Sequence, residues 1–355
     1  MTAALTTTTT TITTISTTAT TTLTTPTIAA TTTTTTTSTT TTTSVTTNAL
    51  VTTTTVLTTT TPSSYLGAKK VIYNDNGQYA ATLADQGILF AVPGYVDTSY
   101  NVFNLAFWLT SGPADAAYSW STQLDSSTRQ SFIDAFHAAG KVLLVSAFGA
   151  TENPTTEQLD PTTVATNLAS FVIANNLDGA DIDWEDNGAL EAGTGEAWLI
   201  TFTTKLRELL PSPQYVISHA PQAPYFFGTG KYPNGGYLKI DQAVGNLIDF
   251  YNVQFYNQGS TSYADCTTLL TTSDGWATQT SLFEIAAKNV ALNKLVIGKP
   301  VTTAGVVNSG YMDPATLASC ISQATLEGWD GGVMGWQLQL DVPIGTWIST
   351  VGAML

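Results

Sequence analysis

From about residue 85 onwards, short apolar runs rich in Val, Ile and Phe alternate with stretches of helical periodicity. The runs span 86–95, 102–109, 141–148, 177–185, 214–220, 248–256, 294–301 and 332–338. The stretches between them predict helices over 127–139, 161–176, 194–210, 276–292 and 314–327. Asp160 and Asp313 stand where N-caps belong, each followed by proline at the first helical position. Pro211 and Gly328 mark two helix ends. The connection between the first two runs is too short for a good helix.

Strands that alternate with helices pair in parallel through right-handed crossovers. Eight such units over about 270 residues fit an α/β fold, a (β/α)8 TIM barrel. The alternative is an open doubly wound sheet. That sheet would want a glycine-rich phosphate loop after its first strand. The chain has Val92-Pro93-Gly94-Tyr95 there, and no Walker or dinucleotide fingerprint elsewhere. In a barrel, chemistry sits at the C-terminal ends of the strands.

The first part of the chain carries no such pattern. Residues 1–61 are mostly threonine, and the first charged residue is Lys69. The reading is a low-complexity, disordered tail over 1–68 and a folded domain over 69–355. An O-glycosylated stalk is a sharper alternative for the tail. Its start lacks the basic n-region and apolar h-region of a signal peptide, so it does not itself argue for secretion.

Of the 355 residues, 11 are Lys or Arg and 26 Asp or Glu, a formal charge of -15. Such a surface repels nucleic-acid phosphates, so a backbone binder is not expected. No apolar run of about 18 residues occurs, so no membrane span is expected. Cys266 and Cys320 rule out a disulfide-dense scaffold and a multi-cysteine zinc site. One bridge and two free thiols both remain open.

The fourth run reads Leu177-Asp178-Gly179-Ala180-Asp181-Ile182-Asp183-Trp184-Glu185. On a strand, Asp181, Asp183 and Glu185 share one face at about 7 Å spacing. Ile182 and Trp184 point the other way, towards covering helices. Buried carboxylates this close repel one another and share protons, which holds some of them protonated near neutrality. That suits a general acid. Other readings are a solvated loop, a hard-cation site and a degenerate site that has lost its activity. Asp178 has the wrong parity for the face and reads as structural, as does His137. His219 lies near the end of the fifth run, at the right height for chemistry, and reads as packing or support for the site.

This ladder resembles the D-G-x-D-x-D-x-E signature of glycoside hydrolase family 18, the chitinase family. Other runs match it too. Lys141-Val-Leu-Leu-Val-Ser-Ala-Phe-Gly149 is similar to the family's third strand, but departs from its usual S-x-G-G ending. Ala220-Pro221-Gln222 and Gln254-Phe255-Tyr256-Asn257 resemble plant-type (class III) members. Asn104-Leu-Ala-Phe107 and Gly332-Val-Met-Gly-Trp336 resemble the second and eighth strands. The resemblance runs from about residue 85 to the end.

The resemblance implies roles. Glu185 is the general acid. Asp183 holds the substrate's acetamido N–H, and Asp181 tunes Asp183. Tyr256 orients the acetamido oxygen, which attacks the anomeric carbon in place of a protein nucleophile. Trp336 floors the sugar site, Phe107 lines it, and Gln254 and Asn257 are further substrate contacts. No cofactor or metal is called for. The implied activity is an endo-acting chitinase on chitin or chitooligosaccharides, secreted, with a monomer as the default. An endo-β-N-acetylglucosaminidase acting on N-glycans and an inactive chitin-binding lectin are the alternatives. The aromatic triplet Tyr225-Phe226-Phe227 either builds sugar subsites or packs its loop.

Overall fold

The computed structural model describes residues 13–17, 20–24, 67–75, 98–259 and 261–355, the first two segments by backbone alone. Thr13–Thr17 and Thr20–Thr24 pair antiparallel. The remainder of the threonine-rich segment up to residue 66, and the run 86–95, lie outside the described residues.

Eight parallel strands close on themselves: β1 Lys69–Asn74, β2 Val102–Leu109, β3 Val142–Phe148, β4 Gly179–Asp183, β5 Val216–His219, β6 Phe250–Gln254, β7 Leu295–Pro300 and β8 Gly332–Trp336. Closure runs through β1, which pairs with β8 (Val71 opposite Met334) and with β2 (Val71 opposite Val102). Gly112–Pro113 adds a short antiparallel strand to β2. The expected barrel is therefore present, but its first strand is Lys69–Asn74 and not the run 86–95. The segment Lys-Lys-Val-Ile-Tyr-Asn has only a brief apolar stretch and adjoins the tail, so the more hydrophobic run drew the assignment.

Each strand from β2 to β8 is followed by a helix: α1 Ser126–Ala138, α2 Pro161–Ala174, α3 Gly195–Leu209, α4 Tyr237–Val244, α5 Leu282–Ala286, α6 Pro314–Leu326 and α7 Thr346–Val351. Asp160 and Asp313 cap α2 and α6 through side-chain bonds to Thr163 N and Thr316 N. The stretch 276–292 is not one helix. It breaks into a 3-10 turn at Gly275–Ala277, the short α5 and a 3-10 turn at Leu292–Lys294. Gln279 and Asn289 adopt positive φ on either side of α5, and a capping box from Ser281 and Glu284 restarts the chain as a helix.

Strand alternation sorts the side chains into two cores. The inner one contains Val71, Val102, Val142, Leu144, Val216, Phe250, Val296 and Met334. The outer one lies between strands and helices; on α3 it takes Trp198, Phe202 and Leu206, at i, i+4 and i+8. Cys266 and Cys320 are bridged and tie the segment after β6 to α6.

At the N-terminal end of the barrel, Asp178 accepts from His137 Nε2 at 2.7 Å and from Leu143 N at 2.8 Å. It braces α1 and β3, as its parity implied. The bond to Asp178 holds His137 above the ordinary imidazole range, against partial burial. A folded-state pKa raised in this way stabilises at low pH, and the contribution fades as pH climbs through the folded value. His137→Gln is therefore expected to lower the Tm clearly at about pH 5.5 and far less at about pH 9. Thermal unfolding at the two pH values tests this, and an equal loss at both would assign His137 to packing alone.

Candidate active site

Gly179 opens β4 with φ +153°, and a Cβ there would lie 1.9 Å from Val216 O. Only glycine lets β4 and β5 approach so closely, which accounts for the glycine of the D-G-x-D motif. Asp181 then points into the barrel and is fully buried. It accepts from Tyr73 Oη at 2.7 Å, Ser146 Oγ at 2.8 Å, Ser218 Oγ at 2.6 Å and Asn252 Nδ2 at 3.0 Å. Burial raises its pKa, and these four donors pull it back.

Asp183 stands one step higher and Glu185 two residues beyond the end of β4. The Gln254 amide nitrogen lies 2.9 Å from Asp183 Oδ1, 3.0 Å from Glu185 Oε1 and 2.9 Å from Ala220 O. Gln222 Nε2 donates to Glu185 Oε2 at 3.2 Å. Burial, then Glu185 and Asp181, push the Asp183 carboxyl well above the usual range. Burial also raises Glu185, while the amides of Gln254 and Gln222 oppose it. Both carboxyls are thus held above the ordinary carboxylate range, chiefly by burial and, for Asp183, by its neighbouring acids.

Tyr256 is buried, and its phenol stays protonated because burial, Asp183 and Glu185 all resist its ionisation. Its hydroxyl has no protein hydrogen-bond partner among the described residues. Trp336 ends β8, with its ring centroid 5.7 Å from Tyr73 and 6.2 Å from Phe107. Phe107 rests over Gly149, whose own Cβ would fall 3.0 Å from the ring. Asn257 holds the loop after β7, its Oδ1 accepting from Val307 N at 2.8 Å. The cleft at the barrel mouth has a volume of about 430 Å³. Asp183, Glu185, Tyr256, Trp336, Gln254, Asn257 and Phe107 all line it, with Asp181 buried below.

The departure from S-x-G-G also has a structural account. Phe148 replaces the first glycine of that ending yet keeps a positive φ of 80°. Its ring packs outward against Trp108, Trp198 and Phe202, with centroids 5.7–6.2 Å away. The aromatic cluster offsets a backbone conformation that costs about 1 kcal/mol or more for a non-glycine residue.

A family model, Glycosyl hydrolases family 18, matches residues 137–314. A family 18 chitinase from Pseudoalteromonas aurantia is 31% identical, with a TM-score of 0.66 over 81% of this chain and 100% of that one. The chain belongs to glycosyl hydrolases family 18. It is a glycoside hydrolase. Two further structures share the fold. A family 18 chitinase from Chromobacterium violaceum has 20% identity and TM-score 0.58, over 83% of this chain and 84% of that one. A fungal endo-β-N-acetylglucosaminidase of the family has 18% identity and TM-score 0.55, over 81% and 98%. No curated protein matches the sequence. The 31%-identical structure is bacterial, so these matches do not single out the plant-type members.

The remaining candidates fall elsewhere. His219 points outward between Thr203 and Tyr237, and burial pushes it down to about 3, so it stays neutral. Tyr225 and Phe226 are buried in a 3-10 turn and pack the loop after β5. Among the described residues no three His, Cys, Asp or Glu side chains form a metal-holding group. Among the cleft residues without a role in the sequence reading are Gln222, Gln258, Asp75 and Asp115. Burial, then Asp115, push Asp75 up to about 7. The Ala220-Pro221-Gln222 run was the one signal for the first of them.

Glu185→Gln keeps the shape and removes the transferable proton, so kcat should fall by roughly 10²–10⁴-fold at unchanged Tm. Asp183→Asn should cost roughly 10²–10³-fold through lost charge stabilisation. Steady-state kinetics beside thermal unfolding measure both, and retained turnover in Glu185→Gln would reassign the acid.

Proposed function

We propose that the enzyme is an endo-acting chitinase that cuts β-1,4 bonds between N-acetylglucosamine units, with retention, by a substrate-assisted mechanism. The observation that carries this reading is the placement of one acid, Glu185, above Asp183 and beside the unpartnered Tyr256 hydroxyl. A retaining enzyme with a protein nucleophile needs a second carboxylate across the scissile bond from the acid. Here the neighbouring carboxylate, Asp183, lies beneath the acid at the end of β4, where it suits an acetamido group.

The residues then divide the work. Trp336 and Phe107 hold the reacting sugar by its apolar face. Tyr256 donates to the acetamido oxygen, and Asp183 accepts from its N–H, so the oxygen faces the anomeric carbon. Glu185 gives its proton to the glycosidic oxygen as the carbon–oxygen bond breaks. The acetamido oxygen forms the new bond, and the positive charge on the resulting oxazolinium ring rests against Asp183. Glu185, now a carboxylate, takes a proton from water as that water attacks the anomeric carbon from the vacated side, and the bond to the acetamido oxygen opens to restore the neutral acetamido group. The alcohol and the hemiacetal leave, and the acid is restored.

The cleft lining reaches from Asp75 and Asp115 above β1 and β2 to Gln258 and Val307 beyond β6 and β7. A lining that crosses the whole mouth supports an internal cut within a chain of sugars. The 31% identity to a chitinase, over 81% of this chain, favours chitin.

The test incubates the protein and Glu185→Gln with N-acetylchitohexaose and with a high-mannose glycopeptide, and reads the products by mass spectrometry. Cleavage of the hexaose into shorter oligomers, by the unmutated protein alone, is expected. Glycan release that leaves one N-acetylglucosamine on the peptide would transfer the reading to the glycoprotein hydrolases. Binding of the hexaose without cleavage would make the barrel a lectin.

A further inference from the structure

Glu185 is approached from two sides by amides. Gln254, on β6, serves its inner oxygen together with Asp183. The outer oxygen, Oε2, is met by Gln222 from the loop after β5. Gln222 is itself held: Gln258 Nε2 donates to its Oε1 at 3.0 Å. Gln258 is 3% exposed and belongs to the loop after β6. Its backbone oxygen accepts from Trp276 Nε1 at 2.9 Å. The Trp276 ring, half-exposed at the rim, lies with its centroid 3.2 Å from Lys231 Nζ. A continuous chain thus runs from the rim, through two glutamines, to the acid.

The order of the bonds has chemical content. A glutamine side chain presents a donor at one corner and an acceptor at the other. With Gln258 donating to the Gln222 oxygen, Gln222 is left with its N–H₂ turned to Glu185. Turned over, it would offer a carbonyl, which favours a protonated carboxyl. A donor favours the carboxylate instead. The cycle needs Glu185 in both forms, as acid and then as base, while burial alone biases it to the acid.

We propose that Gln222 and Gln258 are positioning residues, an amide relay that orients the outer oxygen of Glu185 and keeps a hydrogen-bond donor pointed at it. The relay acts through Glu185 and touches no reacting atom. The titratable groups that face Glu185 are Asp183 from β4, Tyr256 following β6 and Tyr225 from the loop after β5, with Asp181 one step deeper beneath Asp183. None is a cation at neutral pH, so the amides supply the opposing polarity. The inference rests on Glu185 being the general acid.

Two variants test it, Gln222→Leu and Gln258→Leu, in the full chain. Each is expected to keep KM within about twofold and lower kcat roughly tenfold or more, as loss of orientation does. The alkaline limb of kcat should move up by roughly 0.5–1 pH unit, because a donor to the carboxylate is gone. Gln258→Leu should move it in the same direction by less, since it frees Gln222 without removing it. The Glu185 carboxyl is also titrated by ¹³C NMR of glutamate-labelled protein, its signal assigned with Glu185→Gln. Alkaline limbs and titrations that coincide with the unmutated protein in both variants would overturn the relay. If Gln222→Leu does not fold, Gln258→Leu carries the test, because its amide contacts Gln222 and leaves Glu185 untouched. A moved titration in a protein that cuts neither test substrate would keep the relay and reject the chitinase reading.

Discussion

Carboxylates can be stacked inside a barrel only if the strands around them supply donors. At the level of Asp181 the interior is lined by Tyr73, Ser146, Ser218 and Asn252, each bonded to one carboxylate. A TIM-barrel interior is ordinarily filled by branched aliphatic side chains at every level. Here aliphatics fill the lower level, a donor collar fills the middle and chemistry occupies the top. The collar lets Asp181 sit fully buried beneath two further acids. That stack holds the carboxyls of Asp183 and Glu185 above their ordinary range. Removing the collar would leave an uncompensated charge in the core, which is among the costliest defects a fold can carry.

The outer core answers a different demand. β3 and β4 must present Ser146, Asp181 and Asp183 inward without slipping by one residue, since a slip would turn every acid towards the helices. Phe148 and Ile182 on these strands, and Trp184 just beyond β4, prevent it by filling the helix side. Trp184 is fully buried, with Tyr225 at 6.3 Å, and Phe148 accepts an unfavourable φ to stay among its aromatic neighbours. Register is therefore held from the side of the sheet that takes no part in catalysis.

Much of this was legible in the chain because two periods coincide. The alternation of Asp181, Ile182, Asp183, Trp184 and Glu185 declares a strand, a buried face and a chemical face at once. The capped helices after β3 and β7 were equally plain, from Asp160-Pro161 and Asp313-Pro314. What escaped depends on distant partners. Lys69–Asn74 carries only a brief apolar stretch behind two lysines, and becomes a strand because β2 and β8 flank it. The stretch 276–292 carries a helical pattern that positive φ at Gln279 and Asn289 interrupts. The role of Gln222 and Gln258 needs the loops after β5 and β6 to meet, which no local pattern encodes. The bridge between Cys266 and Cys320 likewise required α6 to lie against the segment after β6.

The closing strand has a consequence for how the molecule is made. β1 is the first barrel strand to leave the ribosome, and β8, which it must pair with, is the last. Synthesis proceeds at about 5–20 residues per second, so β1 spends many seconds with one hydrogen-bonding edge unoccupied. An open strand edge is a template for pairing with other chains. Nascent chains on a crowded polysome are the nearest such partners. Lys69 and Lys70 head this strand, and an edge that begins with two charges is a poor template. The same lysines that obscured the strand in the sequence thus guard it until the barrel shuts.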